Sequence, residues 1–433
     1  MKKILLILLS LCLLTSCSPT KELKEEGSPI KIMVATDLHY LADDLHDGAP
    51  LCESLYQLRD GKIVQYGKEI ILTLVDTVIE EKPDALLLTG DLTFNGEKKS
   101  HEELASLLQP LVDEGIHVLA MPGNHDINNY FAYSFTGNEV SKVDSITDKE
   151  FKSIYKQMGY ENSEMVDKNS LSYCFKISED VWIMSIDTSL YEYNTPLGSY
   201  NNGKVREETL EWMEKCLKKA YKEEATVLLA THYTLLDNPY LYSSETRIRN
   251  NEEVYQLMDR YNVVVNLSGH THIQAILSHK YNEKVFYDIA TGSLAVAENL
   301  YGLITIEDNT LTYESHVLDV EKWAVKNQVD DDNLIHFKEY AWNMYERVSY
   351  DLFLDNYEEF DIDDSIKKDI ANFFAKSNPN LFSGKLEEIK KDANNMDIEK
   401  KIQKYAIPFH IKYMNLMLDD RELNQRRIEI KLK

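Results

Sequence analysis

The chain has 433 residues, of which 43% are hydrophobic and 10% aromatic, which is enough for two or three domains with substantial cores. Its formal net charge of −26 would repel polyanions, and this argues against bulk nucleic acid as a partner. The five cysteines show no Cys-rich metal spacing, so a zinc-thiolate site is excluded.

The N-terminal segment, residues 1–16, has the pattern of a signal peptide. Two lysines precede an apolar run, Ile4 to Leu14, that is too short to span a bilayer core of about 30 Å. The run ends in LTSC, which resembles the bacterial lipobox and predicts lipidation at Cys17. We therefore expect a polar tether over residues 17–30 and a body anchored to the cell membrane, facing its extracytoplasmic side. A plain secretory signal with an incidental Cys is the alternative.

Residues 31–318 alternate short apolar runs with amphipathic helical stretches, which predicts a sheet-rich α/β domain. Five of the predicted strands run directly into polar residues. They are, in chain order, IKIMVAT before Asp37, DALLLTG before Asp91, IHVLAMPG before Asn124, ATVLLAT before His232 and VVVNLSG before His270. Between strands, the stretches with helical spacing are EIILTLVDTVIEE, HEELASLLQPLVDEG and REETLEWMEKCLKKA.

Further strands are predicted outside this series. VWIMSID ends at Asp187, which we interpret as a turn residue. KVFYDIATG, YGLITIE and TLTYESHVL are predicted to be antiparallel strands that complete a second sheet. From residue 319 to residue 433 glycine becomes rare and apolar residues recur at helical spacing, which predicts an all-helical C-terminal domain with no visible chemistry.

The polar groups at the five strand ends form a set suited to divalent metals. Carboxylate, amide and imidazole groups are ligands that Mn²⁺, Fe²⁺ and Zn²⁺ accept, and ligands in α/β sheets gather at the carboxyl ends of strands. Each group alone has a simpler explanation as a turn or core residue, but five in succession predict a metal site. A second D-L-H triplet, Asp44-Leu45-His46, follows no strand and is assigned to a loop.

The motif series D-x-H, G-D, G-N-H-D, H and G-H-x-H, spanning Asp37 to His272, resembles that of the calcineurin-like metallophosphoesterases. The resemblance implies a four-layer α-β-β-α sandwich over residues 31–318. It also implies two divalent metal ions, with manganese or iron as the first candidates and zinc as a further one.

Residue roles follow from the resemblance. Asp37, His39 and His272 would hold one metal; Asn124, His232 and His270 would hold the other. Asp91 would bridge them, because two cations about 3.5–4 Å apart need a shared anionic ligand, and a hydroxide bridging them would attack phosphorus.

The resemblance also assigns the contacts with substrate. His125 would face the phosphate and protonate the leaving oxygen or stabilise its charge. Asn124 would contact substrate together with His125. The predicted catalytic residues are His125, for its action on the leaving oxygen, and Asp91, for its place between the metals.

Local sequence features favour one group within the calcineurin-like metallophosphoesterases. GDLTFNGE with GNHD and GHTH is most similar to the class III cyclic nucleotide phosphodiesterases, and Phe94 replaces the Tyr that purple acid phosphatases carry at that position. We therefore expect hydrolysis of a small phosphodiester such as 3′,5′-cyclic AMP or GMP. A phosphomonoesterase or nucleotidase outside the cytoplasm, and a non-catalytic ligand-binding lipoprotein, are the alternatives.

Overall fold

The computed structural model describes residues 23–48, 61–241, 246–396, 398–419 and 424–432. The predicted signal peptide and the lipidation site at Cys17 lie outside the described residues. The end of the predicted tether contacts the body of the protein, since Lys24 Nζ lies 2.8 Å from Asp84 Oδ2. Within the described residues, no helix has the length and apolar character needed to cross a membrane.

Strands dominate the first two thirds of the described chain. They are β1 (Ile30–Ala35), β2 (Ala85–Thr89), β3 (His117–Met121), β4 (Tyr133–Thr136), β5 (Glu139–Lys142), β6 (Met165–Val166), β7 (Tyr173–Lys176), β8 (Val181–Ile186), β9 (Thr226–Thr231), β10 (Val265–Ser268), β11 (Ala275–Tyr281), β12 (Lys284–Ala290), β13 (Leu300–Glu307), β14 (Thr310–Val317) and β15 (Arg427–Lys431).

Helices separate the strands and dominate the last third. They are α1 (Gly67–Glu81), α2 (Lys98–Asp113), α3 (Asp148–Ile154), α4 (Glu207–Lys222), α5 (Asn251–Arg260), α6 (Val320–Lys326), α7 (Asp332–Ile335), α8 (Phe337–Asp355), α9 (Asp364–Phe382), α10 (Leu386–Met396), α11 (Glu399–Tyr405) and α12 (Pro408–Leu418). The three helices predicted between the early strands correspond to α1, α2 and α4.

The first sheet has the order β15-β14-β13-β1-β2-β3. Strands β1, β2 and β3 are parallel, whereas β13 runs antiparallel to β1. All five residues of β2 are buried, as expected for a parallel strand covered on both faces. Parallel pairing brings the carboxyl ends of β1, β2 and β3 to one edge of the sheet.

The second sheet has the order β11-β12-β10-β9-β8-β7-β6, with β8, β9, β10 and β12 parallel. Side chains alternate along β8: Trp182 and Met184 join the cluster that includes Met213 of α4, whereas Ile183 joins the large core shared with the first sheet. Helices α4 and α5 therefore cover the outer face of this sheet, and the predicted fold of two sheets with outer helices is confirmed.

The later strands divide between the two sheets. β12 pairs with β10 and β11 in the second sheet, while β13 and β14 extend the first. The prediction that these strands together complete a second sheet is therefore wrong. A two-residue periodicity identifies strands but does not specify their partners.

The C-terminal region is helical but not all-helical. Helices α8, α9 and α12 build its core, in which the rings of Phe353 and Phe374 stack 4.3 Å apart. The chain then returns to the first sheet, where β15 pairs antiparallel with β14. The alternation in RIEIK, with Ile430 buried, explains this strand, which the prediction for residues 319–433 missed.

Candidate metal centre and active site

The predicted ligands lie at one edge of the two packed sheets. Asp37 and His39 follow β1, Asp91 follows β2, and Asn124 follows β3 of the first sheet. The remaining ligands come from the second sheet, with His232 after β9 and His270 and His272 after β10. Residues separated by more than 200 positions therefore converge, and they form two groups of metal-ligating side chains.

The first group contains Asp37, His39 and His272, whose ligand atoms lie within 4.8 Å of one another. Nε2 of His272 lies 3.0 Å from Nε2 of His39 and 3.5 Å from Oδ1 of Asp37. The Asp37 carboxylate is oriented by the backbone N–H of His270, which donates to Oδ2 at 3.0 Å. Two imidazoles and one carboxylate thus face a common point.

The second group contains Asp91, His232 and His270, also within 4.8 Å. Nε2 of His232 lies 3.3 Å from Oδ2 of Asp91 and 3.1 Å from Oδ1 of Asn124, which adds an amide oxygen to the group. Nδ1–H of His232 donates to the carbonyl of Thr89 at 2.9 Å. This bond fixes the tautomer whose Nε2 lone pair is available to a metal.

Asp91 lies between the two groups. Its Oδ2 is 3.3 Å from Nε2 of His232 and 3.9 Å from Nε2 of His39, so one carboxylate oxygen faces an imidazole of each group. Its Oδ1 accepts the backbone N–H of His125 at 2.9 Å. The side chain is therefore held in the position that a shared ligand needs.

The spacing of the donor atoms fits divalent ions. Metal–ligand bonds of about 2.0–2.2 Å place neighbouring ligand atoms about 3.0–3.5 Å apart in octahedral or tetrahedral geometry. The separations of 3.0–3.5 Å around Nε2 of His272 and Nε2 of His232 match this range. Oxygen and imidazole donors without thiolates suit manganese, iron and zinc.

Burial and mutual charge set the protonation of these groups. Burial lowers the pKa of His270 to about 3 and holds the pKa of His39 well below its ordinary value. Burial disfavours the charged forms of His232 and Asp91 as well. The attraction between the His232 imidazolium and the Asp91 carboxylate outweighs this effect of burial. It raises the pKa of His232 to about 9 and lowers the pKa of Asp91. His39 and His270 are thus neutral and could act as ligands without deprotonation, whereas His232 would have to release a proton to bind a metal.

The backbone at the ligands is strained. Five of the seven predicted ligands have a positive φ, a region costly for residues other than glycine: Asp37 (50°), His39 (43°), Asp91 (48°), His270 (66°) and His272 (59°). Such a concentration of left-handed residues at one edge is typical of functional sites.

Two motif glycines permit the close approach of the ligand loops. A Cβ at Gly123 would overlap the Asp91 carboxylate, and one at Gly269 would lie 2.7 Å from Oδ2 of Asp37. Asp126 ties the same loops together, accepting the backbone N–H groups of Thr93 at 2.9 Å and Gly123 at 2.8 Å. Asp126 is thus a structural residue of the GNHD motif.

His125 belongs to neither group and faces the site from the side. Its Nδ1 lies 2.9 Å from both the Phe94 carbonyl oxygen and Oδ1 of Asn95. Its Nε2 lies 4.0 Å from Oδ2 of Asp91, and the side chain is 27% exposed. Sequence reasoning missed Asn95, although its place in GDLTFNGE, four residues after Asp91, was a signal.

Residues interpreted as structural lie away from the ligand groups. The second D-L-H triplet lies at a short helical turn, Asp43–Leu45, and Asp44 pairs with Lys99 at the surface. Asp187 accepts the backbone N–H of Ser189 at 3.1 Å after β8. His101 is fully buried, with Nδ1 3.0 Å from the hydroxyl of Tyr155.

A cavity of about 520 Å³ opens over the metal-ligand groups. Asp91, His125 and His272 line one end, and residues of α8, α9 and α12 line the other. Lys62, which is only 4% exposed, also lines it, with Nζ 5.9 Å from the centre of the Phe94 ring. We call the residues of α8, α9 and α12 that line the cavity the helical wall. No motif in the sequence indicated that Lys62 or the helical wall would line a cavity.

Two sheets flanked by helices carry two converging groups of candidate metal ligands at one edge. The chain matches the calcineurin-like phosphoesterases over residues 30–274 and the C-terminal domain of cyclic nucleotide phosphodiesterase over residues 319–424. The first match covers more than half of the chain, which therefore belongs to the calcineurin-like phosphoesterase family.

Individual proteins are more distant. The chain is 23% identical over 202 residues to a probable cyclic nucleotide phosphodiesterase of Moraxella catarrhalis, covering 46% of this chain and 62% of that protein, less than two thirds of its length. It is 25% identical over 252 residues to a 3′,5′-cyclic-nucleotide phosphodiesterase of Nostoc sp., covering 57% of this chain and 73% of that protein. A crystal structure of a dimetal phosphatase from Danio rerio aligns with a TM-score of 0.49 and 12% identity, covering 66% of this chain and 96% of that one.

Proposed function

We propose that the protein hydrolyses phosphodiester bonds, with 3′,5′-cyclic nucleotides such as cyclic AMP as substrates. The observation that carries the proposal is the placement of His125 beside two converging metal-ligand groups, with its Nε2 4.0 Å from Asp91. The match of residues 319–424 to the C-terminal domain of cyclic nucleotide phosphodiesterase supports the cyclic substrate, as do the names of two relatives.

In this proposal each ligand group holds one divalent ion. Asp37, His39 and His272 bind the first ion, and Asn124, His232 and His270 bind the second. Asp91 contributes to both, since its Oδ2 faces both groups. Two such ions, when bound, supply charge for phosphate oxygens and lower the pKa of a shared water molecule.

His125 acts on the leaving oxygen. Hydrogen bonding of Nδ1–H to the Phe94 carbonyl, with Oδ1 of Asn95 equally close, leaves Nε2 facing the cavity. In the imidazolium form of the ring, Nε2–H passes its proton to the ribose oxygen as the bond to phosphorus breaks, or stabilises the charge that develops there, and the ring is left neutral with Nδ1–H in place. Asn124 lines the same cavity and contacts substrate beside His125.

The leaving-group dependence of His125→Ala tests this assignment. A ribose alkoxide needs a proton, whereas nitrophenolate needs much less help. The loss of rate on cyclic AMP should therefore exceed the loss on bis-nitrophenyl phosphate by about 10²–10⁴-fold. Metal content, measured by mass spectrometry, should stay at the wild-type level because His125 is in neither ligand group.

Several outcomes would contradict the proposal. Equal losses on both substrates would limit His125 to positioning phosphate. A wild-type preference for monoesters over every diester would favour the phosphomonoesterase alternative, and chelator-insensitive binding without turnover would favour a ligand-binding lipoprotein. His46→Ala, in the second D-L-H triplet, is the matched histidine control and should leave both substrates unaffected.

We also propose that the protein acts outside the cytoplasm, anchored to the cell membrane by lipid at Cys17. The support is the sequence of residues 1–17, in which a basic start, an apolar run and LTSC follow one another. Two acyl chains would suffice for stable anchoring.

A further inference from the structure

We propose that the helical C-terminal region forms a nucleobase subsite at the end of the cavity remote from the metal ligands. This inference rests on the proposed action on cyclic nucleotides and assigns a role to residues for which the sequence indicated none. The helical wall would bind the flat base while the metal-ligand groups bind the phosphate.

The cavity is continuous between the two ends. Asp91 and His125 line it at the metal end, and Leu352 and Phe409 line it at the helical end. Its volume of about 520 Å³ falls within the range of sites that enclose small organic ligands, about 300–1,000 Å³. One molecule with a phosphate at one end and an apolar ring at the other would therefore fit both ends.

The helical wall exposes apolar side chains that a soluble domain would otherwise bury. Leu352 of α8 is 47% exposed and Phe409 of α12 is 39% exposed, although both belong to a region with its own core. The ring of Phe409 lies parallel to that of Tyr413, with an angle of 6° and 6.0 Å between centres. A base stacked on Phe409 would remove apolar surface from water and gain ring contact.

Polar groups on the helical wall can form hydrogen bonds with the edge of a base. Oδ1 of Asn378 accepts the hydroxyl of Tyr413 at 3.0 Å, and its amide donates to the hydroxyl of Ser349 at 3.3 Å. Among the residues that the structure describes, these two bonds use one lone pair and one N–H of the Asn378 amide, out of two lone pairs and two N–H groups. An amide presenting both is suited to the paired donor and acceptor of an adenine edge.

Hydrogen bonds join the helical region to the segment that carries His272. The backbone N–H of Gln274, two residues after His272, donates to the carbonyl of Phe382 at 2.9 Å. The side-chain amide of Gln274 donates to the carbonyl of Gln425 at 2.8 Å. These bonds would help to hold the base and phosphate sites in place before substrate binds, and such preorganisation lowers the entropic cost of binding.

Two substrates that differ only in the base measure the contribution of the base to binding and turnover. Cyclic AMP and its abasic analogue, 1-deoxyribose 3′,5′-cyclic phosphate, share the ring, the phosphate and the leaving oxygen. Phe409→Ala should lower kcat/KM for cyclic AMP about 5- to 100-fold, mainly through KM, because base–aromatic stacking is lost. The loss on the abasic analogue should be much smaller.

Two further variants complete the design. Leu352→Ala should repeat the pattern from a second wall residue. Phe360→Ala, an equally exposed aromatic residue of the helical region (43% exposed) outside the cavity lining, should behave as wild type on both substrates.

Binding of adenosine, measured by titration calorimetry, gives a readout that needs neither metal nor turnover. Adenosine should bind the wild-type protein and Phe360→Ala equally, and Phe409→Ala at least about 5-fold more weakly. Equal losses on both cyclic substrates with unchanged adenosine binding would overturn the subsite and leave the phosphodiesterase assignment standing. Failure of the wild type to hydrolyse either substrate would overturn that assignment, and adenosine binding alone would then decide the subsite.

Discussion

Replacing Glu97 by glutamine should remove a pH-dependent destabilisation of the folded protein. Glu97 precedes α2, and its carboxylate Oε2 accepts the backbone N–H of Asn95 at 3.0 Å. The side chain of Asn95 in turn lies 2.9 Å from Nδ1 of His125. The side chain is fully buried, and burial raises its pKa from an ordinary 4.5 to about 8. Glutamine keeps an acceptor oxygen for Asn95 but cannot ionise.

The pH dependence of folding stability follows from the difference in the pKa of Glu97 between the folded and unfolded states. Because the pKa in the folded state lies above that in the unfolded state, the folded protein retains a proton on Glu97 that the unfolded chain releases between about pH 4.5 and 8. The contribution of Glu97 to stability is therefore fully present below about pH 4.5 and is lost as pH rises through about 8. At about 1.36 kcal/mol per pH unit, the loss between pH 5 and 8 is up to about 3.5 kcal/mol.

Urea unfolding of chelator-treated protein, followed by tryptophan fluorescence from pH 5 to 8, measures this loss. The difference in unfolding free energy between Glu97→Gln and wild type should grow in favour of the variant as pH rises. Glu150→Gln is the control, because hydrogen bonds at the start of α3 lower the pKa of Glu150 to about 2, so its contribution is constant over this range. A difference for Glu97→Gln that is equally flat would show that Glu97 is ionised in the folded state, and the reasoning from burial would fail.

Four other predictions concern the metals and the membrane. Asp91→Asn should lower bound metal, measured by mass spectrometry, and lower kcat at least roughly 10²-fold; full occupancy with normal turnover would remove Asp91 from the shared position. His39→Ala should lose metal while His46→Ala, in the identical D-L-H triplet, keeps it; full metal content in both variants would mean that the first triplet is not a ligand. Chelation should lower Tm, and adding Mn²⁺ should restore it, because ligands that bind only the folded state stabilise it; an unchanged Tm would argue against tight sites. Cys17→Ser should move the protein from the membrane to the soluble fraction, and retention would require an anchor elsewhere.

The sequence predicted that these polar side chains lie together at strand ends because its signals are local. An apolar run followed at once by Asp, Asn or His appears five times, and the parallel arrangement of β1, β2 and β3 follows from the helices between them. The position of residues such as Asp37 and His270 at strand ends depends on the local sequence and not on which strands pair.

Features that depend on long-range packing could not be predicted. Lys62 lines the cavity because the preceding Gly61 lies against the ring of Tyr345, so closely that a Cβ there would overlap the ring. β15 forms only because β14, more than a hundred residues earlier, offers a free edge beyond β13. The alternation in RIEIK identifies a strand but not its partner, and nothing in the residues around Lys62 indicates a contact with Tyr345.

Each metal-ligand group takes residues from both sheets, and this ties the chemistry to the fold. The first group joins Asp37 after β1 to His272 after β10, and the second joins Asn124 after β3 to His232 after β9. Neither group is complete until the two sheets have packed, so a metal bound there would also hold the sheets together. The left-handed backbone at five of the ligands would be costly in isolation, and it is the shared edge of two rigid sheets that keeps the ligands in place.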